Sequence, residues 1–255
     1  MELNVIPSMG VQAGFIILSL FMCVWWCWLA GKAYSLETPG GHTFNYRSAA
    51  ITGLFLIVFV STLLVLSQQS WIHTFDTFPP PVLQIFIVLL ILTFALAYSP
   101  VGKRLADNTP ILLLVGFQVF RIPVELLIHS AATQALAPME MSFAGRNLDI
   151  VSGIAALILA VFLFRGHVAS KWILAWNLLS LGLLVNVLAT AILTMPHPLQ
   201  MIETETPNIW VTFSPFILLP GVLVCSALLG HLLVFRYLRN IKQTQTGYGH
   251  TSTPG

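Results

Sequence analysis

The amino-acid sequence predicts an all-α polytopic membrane protein: a bundle of seven transmembrane helices, N-terminus outside and C-terminus in the cytoplasm. Composition is the first observation. Of 255 residues, 57% are hydrophobic and 8% are charged, with a mean hydropathy of +0.87. A soluble domain carries about 25% charged residues, so a chain this apolar needs lipid as solvent. The second is a series of long apolar runs separated by short polar stretches. The third is the distribution of Lys and Arg between those runs.

The runs fall at about 11–30, 49–66, 82–98, 111–131, 150–164, 172–194 and 210–237. Most are long enough to cross about 30 Å of hydrocarbon. The fifth is short and extends into Leu148 and Arg165 to complete a span. The first run follows a start without Lys or Arg, which fits a retained helix better than a cleaved leader. Trp25, Trp26 and Trp28 crowd its end, as interfacial aromatics do. Pro215 and Pro220 fall inside the seventh run, where proline should kink a helix and free carbonyls. The stretch 243–255 is polar and Gly/Thr-rich, predicting a disordered cytoplasmic tail after a single transmembrane domain, 1–242. No internal repeat is visible.

Orientation follows from the loops. Lys32, Arg47, Lys103, Arg104, Arg165, Lys171, Arg236, Arg239 and Lys242 share one side of a seven-span arrangement, and Arg146 alone lies on the other. The positive-inside rule makes the basic side cytoplasmic. Glu2, Asp76, Glu140, Asp149, Glu203 and Glu205 lie outside. The net charge of +2 includes no cluster dense enough for a phosphate track, so nucleic acid is excluded as a partner. Cys23, Cys27 and Cys225 all sit in apolar runs and read as packing residues, with no disulfide framework.

The fourth run carries the chemistry. Gln118, Arg121, Glu125 and His129 fall within roughly 80° on a helical wheel. Burying a lone Arg or Glu near mid-membrane costs about 2.5–3.5 kcal/mol. Arg121 and Glu125 stand at i,i+4 and can pair within one helix, and Pro123 between them loosens the turn. Two readings stand side by side. One is a buried ion pair that locks packing, with His129 a satisfied interfacial side chain. The other is a site that binds a solute or relays a proton.

The loop to Asp149 sits at the same outer end. It supplies Arg146, Asn147 and Asp149, the last two also fit to cap the fifth helix. On the sixth run Asn186, Thr190 and Thr194 form a stripe, with Asn177 and Ser180 nearly opposite. Asn186 is the expected partner of Arg121 or Glu125, or else an interhelical packing residue. His73, His129 and His197 lie outside and are the zinc candidates; no HxxxH or HExxH spacing supports them, and no metal is expected. His231 reads as a cytoplasmic-interface residue beside Arg236, at a different depth from His129. The seventh run has no Lys for a retinal Schiff base, and no DRY or NPxxY string marks a G-protein-coupled receptor.

FRIPVELLIH, MSFAGRNLDIVSG and WNLLSLGLLVN resemble a family of uncharacterised bacterial multi-pass membrane proteins with FRxPVE and GRNxDI segments. These fall here on Phe120, Arg121, Pro123, Val124 and Glu125, and on Gly145, Arg146, Asn147, Asp149 and Ile150. Ala144 stands where the family pattern is acidic. The resemblance covers roughly the second half of the chain and implies a bacterial inner membrane, without an activity.

The expected function is therefore binding or transport of a small solute or ion. It would use an outward-facing cavity centred on a buried Arg121–Glu125 pair and lined by His129, Asn186 and the Gly145–Asp149 loop. A membrane-embedded, metal-assisted enzyme and a structural or partner-binding subunit are the alternatives. The lipid bilayer is the one certain partner; oligomeric state is not readable.

Overall fold

A computed structural model describes residues 5–38, 41–166 and 168–249. Six of its helices are long and apolar enough to cross a membrane. They are α1 (Met9–Ala33), α2 (Tyr46–Leu66), α3 (Pro81–Tyr98), the composite span Ile111–Thr133, α8 (Ser170–Thr194) and the span Leu219–Ile241. A further apolar helix, α7 (Ile150–Arg165), has 16 residues. The chain is a multi-pass helical membrane protein. Its α1–α2 connection contains a short antiparallel hairpin, Leu36–Thr38 (β1) paired with Gly41–Thr43 (β2).

Why lipid must surround this bundle is plainest at α2. Its sequence is almost wholly apolar, yet Leu63 is its only buried residue. Ile51, Leu54, Phe55 and Val58 point outward. In water such a face would be a very large exposed apolar patch. α1 carries a similar outer belt of Ile17, Leu20 and Val24, while Phe15, Met22 and Leu29 face inward.

The last helix, α9 (Cys225–Gly249), is the hub. It packs against α3, α8, the amphipathic helix α4 (Pro100–Asn108) and α5 (Ile111–Gly116). Residues 226–234 are all buried. Gly230 permits this closeness: a Cβ there would lie 2.3 Å from Phe117 Cζ and 2.5 Å from Gln118 Nε2. Small residues let membrane helices approach backbone to backbone, and Gln118 Nε2 donates to Ala227 O at 3.0 Å. α1 is tied to the hub by Trp26 Nε1, which donates to Ser226 Oγ at 2.9 Å.

Two boundaries differ from the sequence expectation. Stretch 210–237 is not one helix. Trp210–Thr212 is a 3-10 turn, Leu219–Val224 a π-helical turn, and α9 follows. Pro215 precedes the helix and Pro220 falls in its first turn, where a missing donor costs little. Pro220 therefore starts the span rather than kinking it, and its carbonyl accepts from Cys225 Sγ at 3.4 Å. Phe216 and Trp210 pack on Phe15 of α1, with ring centroids 5.6 Å away in each case. At the other end α9 continues to Gly249, past the expected end at 237 and into the tail expected to be disordered. Residues 250–255 lie outside the described residues, as does His167.

The composite span is broken as Pro123 leads one to expect. α5 gives way to a 3-10 turn, Phe117–Phe120, before α6 (Arg121–Thr133). Pro123 has no N–H to return to the carbonyl of Val119, so the regular ladder lapses in that turn. At the opposite end of the bundle, Arg236 Nη1 caps the end of α3 by donating to Ala97 O at 2.6 Å and Ser99 O at 3.1 Å. Ser99 in turn caps α4 by accepting from Gly102 N–H at 3.2 Å.

Gly230→Leu is expected to destabilise the protein by about 1–3 kcal/mol or more, since the added branch overpacks the Phe117–Gln118 contact. Thermal unfolding in detergent measures it, with the exposed change Leu179→Ala as the near-neutral comparison.

Candidate functional site

Arg121, the first residue of α6, is 2% exposed, and Glu125 one turn on is 1% exposed. The guanidinium does not pair with Glu125. It forms a two-armed bond with Asp149: Nε donates to Oδ2 at 2.6 Å and Nη2 donates to Oδ1. Nη2 also reaches the carbonyl of Ser180 on α8 at 3.3 Å. Nη1 lies 2.9 Å from His231 Nε2 on α9. The expected Arg121–Glu125 pair is corrected by geometry. A carboxylate from another helix can match the planar guanidinium fork with both its oxygens.

Asp149 reaches this position because α7 starts there. It occupies the N-cap position, yet its carboxylate makes no capping bond to the α7 backbone; it turns to Arg121 and takes Ser152 Oγ at 3.3 Å. The positive end of the helix dipole still favours a carboxylate there. Gly153 lets α7 approach, since a Cβ would meet Ile122 Cγ1 at 2.7 Å. Asn147 links the two acids. Its Nδ2 donates to Glu125 Oε1 at 2.9 Å and to Met141 O at 2.9 Å, and its Oδ1 accepts from Asp149 N–H at 3.0 Å. It braces the loop and does not cap α7.

His231 was expected at the cytoplasmic interface. It is fully buried, at the depth of Arg121. The observed start of its span, Leu219–Ile241, places it near the middle. Its tautomer follows from its neighbours. Asn177 Nδ2 donates to His231 O at 3.2 Å, so Asn177 Oδ1 is the acceptor for His231 Nδ1–H at 2.8 Å. Nε2 therefore presents a lone pair to Arg121, which can only donate.

The remaining expected residues are elsewhere. Asn186 is exposed and donates to Arg146 O at 2.8 Å; it faces away from the cluster, while Asn177 and Ser180 face in. Arg146 is itself exposed. His129 is half-buried, its ring tilted 30° against Phe143 with centroids 4.4 Å apart, and takes no part in the cluster. His197 braces its own turn through Ile192 O and Leu199 N, each at 3.0 Å. His73 Nδ1 lies 2.8 Å from Thr212 Oγ1 and its ring stacks on Phe213; burial holds its pKa below the usual imidazole range. Among the described residues, no group of three or more His, Cys, Asp or Glu side chains is placed to hold a metal.

A cavity of about 80 Å³ opens onto the cluster. Arg121, Glu125 and Asp149 line it at one place. The rest of its wall is apolar, from α3 (Phe86), α6 (Val124, Ile128), α8 (Leu184, Ile192) and the turn that begins α9 (Leu223). α3 and α8 each pack on α9 but not closely on each other, and the hollow occupies the gap. Its wall runs from mid-span residues such as Arg121 and Leu184 to Val82, Met141 and Met195 beside loops 67–80, 134–149 and 195–218. Glu125 Oε2 is buried beside it and, among the described residues, has no hydrogen-bond partner. One guanidinium thus serves two carboxyl groups, and only one of them is bonded to it.

Asp149→Ala, which strands the guanidinium, is expected to cost about 3–5 kcal/mol. Arg121→Met combined with Asp149→Leu should recover most of that loss, because the guanidinium and the carboxylate bonded to it are removed together. Unfolding titrations of the wild type, the single and the double variant measure the difference.

Residues 79–239 match the model of a family described as Domain of unknown function (DUF8737). No curated protein and no solved structure matches the chain. The matched segment runs from the turn before α3 to the last turns of the hub helix and contains every residue of the Arg121 cluster. With well over half of its 255 residues matched, the chain belongs to this family.

Proposed function

We propose that this protein binds or transports a small solute or ion from the outer face of a bacterial inner membrane, as a seven-span bundle with its N-terminus outside. The observation that carries the reading is the cavity, since it meets a buried charged cluster instead of a purely apolar packing gap. Intramembrane ionisable groups that face a hollow mark ion and substrate paths. Treating the 16-residue α7 as the fifth crossing puts the loops around the cavity on the side poor in Lys and Arg, which supports an outward opening.

Within the cluster the roles divide. Arg121 is occupied by Asp149, the Ser180 carbonyl and His231, so it holds the helices together. Glu125 is the group left to act on an occupant. A second reading, that of a subunit in which the cluster only locks packing, draws on the same fact: the Arg121 contacts join α6, α7, α8 and α9.

Two outcomes separate them. In a background with Cys23, Cys27 and Cys225 changed to Ala, Ile192→Cys at the cavity wall is expected to react from the outer face with a membrane-impermeant methanethiosulfonate. Leu178→Cys on the lipid side should stay unmodified. Protection of Ile192→Cys, or reaction only from the cytoplasmic face, counts against an outward cavity. In potassium-loaded, valinomycin-clamped liposomes, wild-type protein should speed proton uptake several-fold over protein-free vesicles, and Glu125→Gln should return it to background. Equal rates in wild type and variant favour the packing reading.

A further inference from the structure

We infer that the cavity beside Glu125 is a site for a small organic ammonium ion, singly charged and otherwise apolar, with Glu125 Oε2 as its counter-charge; this deepens, and rests on, the reading of the cavity as a ligand site. Unused valences point to it. Asp149 takes two bonds from the Arg121 guanidinium and one from Ser152 Oγ. Arg121 gives its remaining contacts to Ser180 O and to the lone pair of His231. On Glu125, Oε1 takes Asn147 Nδ2, and Oε2 takes nothing among the described residues. The carboxyl oxygen of the cluster left without a partner among the described residues is therefore on Glu125, a residue that lines the hollow.

Charge counting points the same way. The cluster holds one guanidinium, two carboxyl groups and an imidazole that presents a lone pair. With both acids ionised it is one positive charge short. An anion would add to that imbalance, and four of the five Arg121 N–H groups are already engaged. A hard metal ion wants six or more oxygen ligands; the hollow offers one free carboxyl oxygen and walls of Phe86, Phe120, Leu184, Val187, Ile192 and Leu223. Those walls suit a hydrocarbon body. The volume, about 80 Å³, exceeds the roughly 10–15 Å³ that a single water needs, but admits only a few heavy atoms. A charged head against one carboxylate, in a pocket that otherwise repels water, is how a small aliphatic ammonium would be held; the low dielectric strengthens that one attraction.

The test is a charge series on one carbon skeleton. Purified full-length protein is titrated calorimetrically with isobutylammonium, isobutanol and isobutyrate. The ammonium ion is expected to bind at least tenfold tighter than the alcohol, with the carboxylate weakest. Glu125→Gln should abolish the preference for the ammonium ion, so that isobutylammonium binds no tighter than isobutanol. Glu125→Asp, which retains the charge but draws it back, should reduce the preference and serves if the Gln variant does not fold. Equal affinities, or preference for isobutyrate, overturn the ammonium assignment while leaving a ligand cavity in place. If none of the three binds, the ligand-site reading falls as well.

Discussion

The structure depends on a guanidinium placed where water is absent. Arg121 at the head of α6 is 2% exposed, and a lone Arg at that depth costs about 2.5–3.5 kcal/mol on insertion scales. The planar fork imposes its own geometry on the surroundings: one helix must supply a carboxylate edge-on, and others must supply single acceptors. α7 brings Asp149, α8 the Ser180 carbonyl and α9 His231. Such a network adds little net stability relative to an apolar core. Its effect is to make one mutual arrangement of four helices satisfactory and slipped arrangements costly, which generic apolar packing in lipid does not do.

The same geometry decides which carboxyl group is left beside the hollow. Once Asp149 claims the fork, Glu125 is left with the Asn147 amide on one oxygen and the cavity beside the other. A buried acceptor without a donor is costly. An occupant that brings a donor or a positive charge relieves that cost. The two acids of the cluster thus differ in their bonding: Asp149 holds the guanidinium and Glu125 is held by Asn147.

Much of the architecture was legible from composition, since apolar runs bounded by Pro, Ser and basic residues leave few alternatives. Arg121, Glu125, Asn147 and Asp149 were also visible as polar residues in or beside a run. What periodicity could not show was which of them would meet. Spacing of i,i+4 favours Arg121 with Glu125 but is worth only about 0.2–0.5 kcal/mol in an isolated helix, less than a matched two-armed bond from another element. His231 was misplaced through a boundary. A run read from 210 sets it near the cytoplasmic end, whereas the observed start at Leu219 sets it mid-span. On α8 the wheel separated two polar faces correctly, since Asn177 and Asn186 are nine residues apart, half a rotation at 100° each. Nothing local says which face turns inward. The structure buries Asn177 and Ser180, while Asn186 serves the loop at Arg146.

The position of the hollow follows from backbone irregularity. Two of the helices that wall it are not regular α-helix where they meet it. The 3-10 turn Phe117–Phe120 leads into α6, and the π-helical turn Leu219–Val224 leads into α9. Phe120 belongs to the first, and Leu219, Pro220, Leu223 and Val224 to the second; all five line the cavity. A regular helix stacks its side chains in even ridges that a neighbour fills. A tighter turn and a wider one break that register, and the space between them does not close. Lipid does not tolerate irregular backbone, which survives at membrane depth only inside protein or against a hollow. Pro123, which breaks the ladder behind the first turn, and Pro220, which lies in the second, therefore shape the backbone around the cavity.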